Sequence, residues 1–231
     1  MPETMQPLRA LLEEAAIRLK AVGIAEPRRE ARRLWADLQG RSRAEVLPLR
    51  DDPVDHPLRA RYEAAVLRLA AGEPIQYVTG IAGFRRLTVC SDRRALIPRP
   101  ETEGLVELVL ARVSRGRIAD IGTGSGCIAL SLADEGEFDQ VVGVDCSPEA
   151  LALAGENRDR LGLPVEFVEG DLCEPLRGER WTRWSPIHPI LLRASTRYWI
   201  ARCGTGSRKA HSRMVRMVSP RLAGWCCRRG M

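Results

Sequence analysis

The chain has 231 residues, of which 45% are hydrophobic and 29% are charged, as is ordinary for a soluble protein of one large or two small domains. No stretch approaches the ~20 apolar residues of a membrane span, and the N-terminus lacks the basic flank and apolar run of a signal peptide. We therefore expect a cytoplasmic protein that does not associate with membranes.

The formal net charge of +6 hides a division within the chain. Residues 181–231 contain ten Arg, one Lys and no Asp or Glu, a net charge of +11, whereas residues 1–180 carry a net charge of −5. Four of the five Trp also lie in 181–231. Such a break in composition marks a separate segment, either a new domain or an interaction tail.

Seven cysteines are present, but no two of them form a C-x-x-C pair, and the chain has three histidines. Metal-binding motifs need closely spaced Cys and His ligands. We therefore predict no metal site and interpret the cysteines as reduced thiols.

The first third of the chain is predicted to be helical. Three segments have apolar residues at helical spacing and end near a glycine, at 8–23, 26–40 and 56–72. They predict a small bundle within a domain over 1–74, and a linker punctuated by Gly and Pro over 72–80. Beyond it, 82–92 alternates polar and apolar residues, which predicts a short strand or hairpin.

The next region alternates between helical and strand patterns. Pro100, at a first helical position with acids behind it, predicts the start of a helix. Strands are then predicted to alternate with helices at 117–122, 125–135, 140–145, 147–162 and 165–171. Strand–helix–strand units of this length predict a parallel sheet with right-handed crossovers, and hence an α/β fold.

The sequence DIGTGSG, from Asp120 to Gly126, lies between the first of these strands and its helix. Glycines let the backbone approach a ligand closely, and the helix N-terminus behind them offers free N–H groups. The spacing departs from the dinucleotide fingerprint, whose third glycine would fall at Cys127. With an acid ahead of the first glycine, the loop predicts S-adenosyl-L-methionine, which has an amino-acid end and no pyrophosphate.

Two further carboxylates close the following strands. Asp145 lies about 20 residues beyond the loop, where a carboxylate can accept both ribose hydroxyls, and Asp171 closes the third strand, near an adenine edge. Tight turns and helix caps would be the purely structural explanation for the same residues. The pattern assigns cofactor binding to Asp120, Gly122, Thr123, Gly124, Ser125, Gly126, Asp145 and Asp171.

Four stretches, GEPIQYVTG, LIPRPETE, DIGTGSGCIALSLA and VDCSPEALALAGEN, resemble the release-factor glutamine-N(5) methyltransferases, the HemK/PrmC family. The resemblance covers about residues 7–180. IPRPETE is specific to that family, whereas the glycine loop is shared by most class I methyltransferases. The resemblance implies a helical substrate-recognition domain over 1–74, followed by a class I, Rossmann-like methyltransferase domain.

The resemblance also implies an activity, which is methylation of the glutamine side chain in the Gly-Gly-Gln loop of peptide-chain release factors, with S-adenosyl-L-methionine as methyl donor. It places Leu172 near the adenine, and Arg99, Pro100 and Glu101 near the cofactor in a supporting role on the substrate side. We expect a monomer whose partners are release factors rather than nucleic acid.

One motif of the family is missing. The family holds the substrate amide with Asn-Pro-Pro-Tyr after the fourth strand, and this sequence does not contain it. A fourth strand should begin near Trp181, but no pattern marks it, so no catalytic residue is assigned. We expect an incomplete domain over 75–180 with an exposed edge on its first strand, and an aberrant, disordered tail over 181–231. Such a chain should bind the cofactor weakly and be inactive.

The codons around Trp181 offer a reason for the loss. When the third base of each codon is read with the first two of the next, Trp181–Thr182 can encode only Asp, because Trp is TGG and Thr is ACN. In the same frame, residues 184–190 permit Val-Ser-Asn-Pro-Pro-Tyr, the fourth strand and the motif. We hypothesise a frameshift close to Trp181, in the gene or its sequencing.

Two other functions remain open. A class I N-methyltransferase acting on another amide or on a nucleobase amine could use the same loop, although IPRPETE and the helical bundle argue against it. A basic tail with interleaved Trp could instead bind RNA through phosphate contacts and base stacking. The tail lacks an RNP or KH pattern, which argues against RNA binding. A salt-dependent titration of residues 181–231 with RNA would distinguish RNA binding from the other two functions.

Overall fold

The computed structural model describes residues 7–40, 53–172, 174–176 and, for the backbone only, 183–186. The chain divides into two compact units, Met1–Ile81 and Ala82–Met231. Within the described ranges, no helix is both long enough and apolar enough to cross a membrane. Apart from 183–186, the predicted tail lies outside the described residues.

In the described part of the first unit the helices are α1 (Leu8–Ala21), α2 (Pro27–Leu38), α3 (His56–Ala70) and α4 (Ile75–Thr79). The first three confirm the helices predicted from apolar spacing. Their ends follow from local chemistry: Pro27 occupies the first turn of α2, and the Asp55 carboxylate caps α3 by accepting from the Leu58 N–H at 2.9 Å.

The prediction of a linker over 72–80 is wrong in part, because α4 lies within it. Ile75 and Val78 are buried in the same core as the three longer helices. That core also holds Tyr62, whose ring meets Trp35 edge-on at 5.2 Å and whose hydroxyl donates to the Ala31 carbonyl at 2.9 Å. Burial of two apolar side chains stabilises one turn of helix that pattern alone does not reveal.

Further along the chain come a hairpin and a sequence of alternating helices and strands. The hairpin consists of β1 (Ile81–Phe84) and β2 (Leu87–Cys90), as the alternation over 82–92 predicts. The remaining elements are α5 (Pro100–Leu110), β3 (Arg117–Ile121), α6 (Cys127–Glu135), β4 (Gln140–Asp145), α7 (Pro148–Leu161), β5 (Val165–Glu169) and β6 (Arg183–Pro186).

The larger sheet has the strand order β5–β4–β3–β6, and all of its pairs are parallel. The expectation of an exposed edge on β3 is therefore wrong, because β6 pairs with it from Ile118↔Arg183 to Ile121↔Pro186. A ladder uses backbone N–H and C=O groups, so a segment without a strand-like pattern of side chains can still complete the edge.

Each face of this sheet has its own core. Ile118 and Val141 point to the face that α5 and α6 cover with side chains such as Val106 and Ile128. On the opposite face, a smaller cluster contains Ala119, Ile121, Val142 and Val144. Burial on both faces explains why β4 has an almost continuous apolar run. The carboxyl ends of the strands are then the place where polar side chains gather.

Candidate cofactor site

The glycine loop leaves the carboxyl end of β3 and leads into α6. Its first two amides, those of Gly122 and Thr123, donate to the Val144 carbonyl of β4 at 2.7 and 3.0 Å. All three loop glycines have a left-handed backbone, with φ of 76°, 55° and 79° along the chain. Side chains rarely adopt that conformation, so the loop requires glycine for its path.

Gly126 also has a packing reason to lack a side chain. A Cβ there would lie 2.9 Å from Phe167 Cζ and 3.2 Å from Ala154 Cβ. The loop thus turns into α6 directly against β5 and α7. Phe167 was not predicted as a site residue, and nothing in its local sequence distinguishes it from an ordinary core aromatic.

Asp145 joins the loop to the start of α7. One carboxylate oxygen accepts from the Gly124 N–H at 2.8 Å, and the other accepts from the Ser147 N–H at 3.0 Å. Each oxygen keeps a second lone pair, so the carboxylate can still accept hydroxyls of a ribose. Asp145 thus lies at the loop and holds it in place, and its contact with a ribose stays a prediction.

Asp120 lies beneath the same loop and is 1% exposed. Its Oδ2 accepts from the Thr123 hydroxyl at 2.7 Å, while its Oδ1 has no hydrogen-bond partner among the described residues. Burial raises the pKa of Asp120 to about 6, while the Thr123 hydroxyl and, more weakly, the Ala129 backbone N–H act to lower it. An orphaned buried oxygen beside a glycine loop fits a ligand that brings N–H donors, such as an amino-acid end.

Asp171 and Leu172 follow the end of β5, which closes at Glu169 rather than at Asp171 as predicted. The Gly170 N–H donates to the Asp145 carbonyl at 3.0 Å, which joins the carboxyl ends of β4 and β5. Leu172 has a left-handed backbone, with φ of 50°, and is 55% exposed. An exposed leucine beside an acid offers an apolar surface and an acceptor at the same edge of the sheet as the loop.

The three residues expected on the substrate side lie at the start of α5. Pro100 occupies its first turn, after Arg99, and Glu101 follows; all three are exposed. It is Ala95, earlier in the same connection, that the structure places at the loop, since a Cβ on Gly124 would lie 3.8 Å from Ala95 Cβ.

Three residues in register across the sheet explain how Thr123 of the loop can bond to Asp120. Asp120 is in register with Gly143, which is in register with Phe167. A Cβ on Gly143 would lie 2.6 Å from the Phe167 ring and 2.8 Å from Thr123 Oγ1. The missing side chain at Gly143 therefore makes room for both the ring and the Thr123–Asp120 hydrogen bond.

We expect Gly143→Ala to lower the free energy of unfolding by about 1–3 kcal/mol, the usual cost of overpacking a core. Gly155→Ala is the matched control, because Gly155 lies inside α7 with nothing within 4 Å of an added Cβ. That substitution should stabilise by up to ~1 kcal/mol through helix propensity. Denaturant titration of both variants measures the difference, and equal stabilities would contradict the packing account.

The raised pKa of Asp120 predicts a pH dependence. The folded chain keeps a proton up to about pH 6, whereas the unfolded chain loses it near the ordinary value of 3.8. The stability that the bound proton adds is fully present below pH 3.8 and is lost as the pH rises through 6. Relative to Asp120→Asn, the unaltered protein should therefore lose about 2 kcal/mol of unfolding free energy between pH 4 and 7.

Denaturant titrations of both proteins across this range test that prediction. Carboxyls whose pKa is lowered by arginine partners, such as Glu135 beside Arg85, act in the opposite direction, but they are present in both proteins and cancel in the difference. Parallel stability curves would show that Asp120 does not titrate in this way.

The strand order and the loop at the carboxyl end of β3 define a class I methyltransferase domain, whose cofactor is S-adenosyl-L-methionine. Residues 118–180 match the family described as a methyltransferase domain, and residues 10–80 match the PrmC N-terminal domain. The chain is thus similar to the release factor glutamine methyltransferases.

Curated relatives carry that name. The chain is similar to the release factor glutamine methyltransferases of Deinococcus radiodurans (40% identity, 74% of this chain and 63% of the relative), Moorella thermoacetica (42%, 74% and 62%) and Escherichia coli K12 (35%, 74% and 62%). It thus spans less than two thirds of their length. A solved structure of M. capricolum TrmK in complex with S-adenosyl-homocysteine aligns with 40% of this chain and 46% of that chain, at 16% identity and a TM-score of 0.34.

Proposed function

We propose that this chain derives from an enzyme that transfers a methyl group from S-adenosyl-L-methionine to the glutamine side chain of the Gly-Gly-Gln loop in peptide-chain release factors. The observation that carries the proposal is the bond between Asp145 and the Gly124 N–H, which joins the glycine loop to a carboxylate at one edge of the sheet. The similarity to enzymes of that name, at 35–42% identity, supports the choice of substrate.

The described residues supply a place for each part of the cofactor. The loop from Gly122 to Gly126 and the buried Asp120 would hold the amino-acid end, and Asp145 would accept the ribose hydroxyls. Leu172 would lie against the adenine, and Asp171 would accept from its amino group. When bound, S-adenosyl-L-methionine supplies an activated methyl group on a sulfonium sulfur.

The substrate amide sets the remaining requirement. An amide nitrogen is a weak nucleophile because its lone pair is delocalised into the carbonyl. The protein must therefore fix the amide in line with the methyl group, and most of the rate comes from positioning and electrostatics. In the family this is the task of Asn-Pro-Pro-Tyr, which the present sequence lacks. We infer that the chain as written binds the cofactor but does not methylate.

The other parts of the proposal follow from the same family. The helical unit over 1–74 would recognise the release factor, with Arg99, Pro100 and Glu101 on the substrate side of the cofactor. The protein would act as a monomer in the cytoplasm, with release factors as partners and without binding membranes or nucleic acid.

Two measurements test the proposed function. Calorimetry with S-adenosyl-L-methionine should show saturable binding to the chain as written. A methyl-transfer assay with a release factor, and with the same factor carrying Ala in place of the Gly-Gly-Gln glutamine, should show no turnover on either. Absence of cofactor binding would refute the proposed function, and turnover on the unaltered factor would refute the inactivity.

A further inference from the structure

We propose that Asn157 is a positioning residue of the cofactor site, which ties the middle of the glycine loop to strand β2. This inference rests on the proposed function, because the position of the loop matters for binding only if the loop binds the cofactor. Asn157 lies on α7 and is 0% exposed. It lies on the buried face of that helix with Ala150, Leu153 and Ala154, where an amide is costly unless it is hydrogen-bonded.

The Asn157 side chain bonds two separate stretches of backbone. Its Oδ1 accepts from the Cys90 N–H at 2.5 Å, and its Nδ2 donates to the Cys90 carbonyl at 3.2 Å and to the Ser125 carbonyl at 3.0 Å. Cys90 is the last residue of β2, and Ser125 lies in the loop between two left-handed glycines. One buried amide thus fixes the end of a strand and the centre of the loop at the same time.

The bond to Ser125 complements the bond to Asp145. Asp145 holds the Gly124 N–H, and Asn157 holds the carbonyl of the next residue. The two side chains therefore hold the Gly124–Ser125 peptide from both sides. Without these bonds, the backbone freedom of Gly124 would leave that peptide flexible. Because a flexible loop must be ordered when a ligand binds, holding it beforehand lowers the entropic cost of binding.

The neighbouring residue on α7 reinforces the arrangement. Glu156 accepts from both terminal nitrogens of Arg94 at 2.5 and 2.7 Å. Arg94 precedes Ala95, whose Cβ lies 3.8 Å from the position of a Cβ on Gly124. One turn of α7 thus holds the connection after β2 through Glu156 and the loop through Asn157, which couples the two.

Asn157→Asp tests the proposal with little change in shape. The new carboxylate can still accept from the Cys90 N–H, but it cannot donate to the Cys90 or the Ser125 carbonyl, and only the second of these bonds holds the loop. We expect the Kd for S-adenosyl-homocysteine, measured by calorimetry, to rise about tenfold, as for the loss of one buried hydrogen bond. Leu161→Ala is the control, because it loosens the packing of the same helix near its end and leaves the loop bonds intact. It should lower the thermal midpoint and leave the Kd unchanged.

A measurement on the unaltered protein covers the case in which Asn157→Asp does not fold. We expect S-adenosyl-homocysteine to slow amide hydrogen exchange at Cys90, whose N–H is bonded to Asn157, as well as at Gly124 in the loop. The proposal is overturned if the folded variant binds with the native Kd, or if the cofactor protects Gly124 and leaves Cys90 unchanged. If the unaltered protein binds no cofactor, the proposed function fails first, and that result is recognisable before any variant is made.

Discussion

Restoring the shifted reading frame at Trp181 is expected to give the chain the methyltransferase activity that we propose it lacks as written. In the shifted frame, the third base of each codon is read with the first two bases of the next codon. Read in this way, the DNA should encode Asp at Trp181–Thr182 and Asn-Pro-Pro-Tyr over 186–190. The restored chain would regain the motif that holds the substrate amide. We expect turnover on a release factor to rise at least ~100-fold above the chain as written, because positioning supplies much of such a rate.

The fold supports the place of the restored motif. In β6, Pro186 is in register with Ile121, the residue immediately before Gly122 of the glycine loop. The asparagine codon of the shifted frame spans Pro186 and Ile187 and therefore falls at the carboxyl end of β6, beside the loop. Parallel strands bring their carboxyl ends to one edge, which is where α/β enzymes place ligands.

Sequencing of the gene and a methyl-transfer assay decide the matter. The control is the restored chain with the asparagine codon of the motif changed to alanine, which should fold and bind the cofactor but lose turnover. A shifted frame that does not encode Asn-Pro-Pro-Tyr would refute the hypothesis of a frameshift. If it does, and the restored chain still gives no product, the motif would not be the missing part.

Sequence patterns predicted the elements that depend on local chemistry. β4 has the predicted bounds, Gln140–Asp145, because its apolar run ends sharply in polar residues. α7 starts after Ser147, whose hydroxyl accepts from the Ala150 N–H at 3.2 Å as an N-cap should. The glycine loop and Asp145 also lie together as their spacing indicates, since successive parallel strands bring their carboxyl ends to one edge.

Other features depend on partners that are distant in the chain. β6 escaped prediction because a backbone ladder with β3 requires no particular side-chain pattern. Asn157 escaped because its partners, Cys90 and Ser125, lie 67 and 32 positions away. The one local signal was a polar residue on an otherwise apolar helix face. Gly143 likewise reads as an unremarkable strand residue until Phe167 and Thr123 are placed against it.

Asp145→Ala is expected to abolish most cofactor binding by the chain as written. The carboxylate holds the Gly124 and Ser147 amides, and in the proposed complex it also accepts the ribose hydroxyls. Hydrogen bonds to a charged group contribute about 1.5–3 kcal/mol each. Losing two of them to the ligand corresponds to a Kd at least ~100-fold weaker. Asp145→Asn, which keeps one acceptor oxygen, should fall between that variant and the unaltered protein.

Ligand-induced stabilisation measures this loss separately from folding. At a cofactor concentration 100 times the native Kd, the unaltered protein gains about 2.7 kcal/mol, whereas a variant that binds 100-fold more weakly gains about 0.4 kcal/mol. Glu166→Ala is the matched control, because this strand acid lies toward the amino end of β5 and accepts from Gln140 instead of the loop. It should retain the full gain. A folded Asp145→Ala that is stabilised as strongly as the unaltered protein would show that the cofactor does not depend on this carboxylate, and the bond that carries the proposed function would then be only a structural cap.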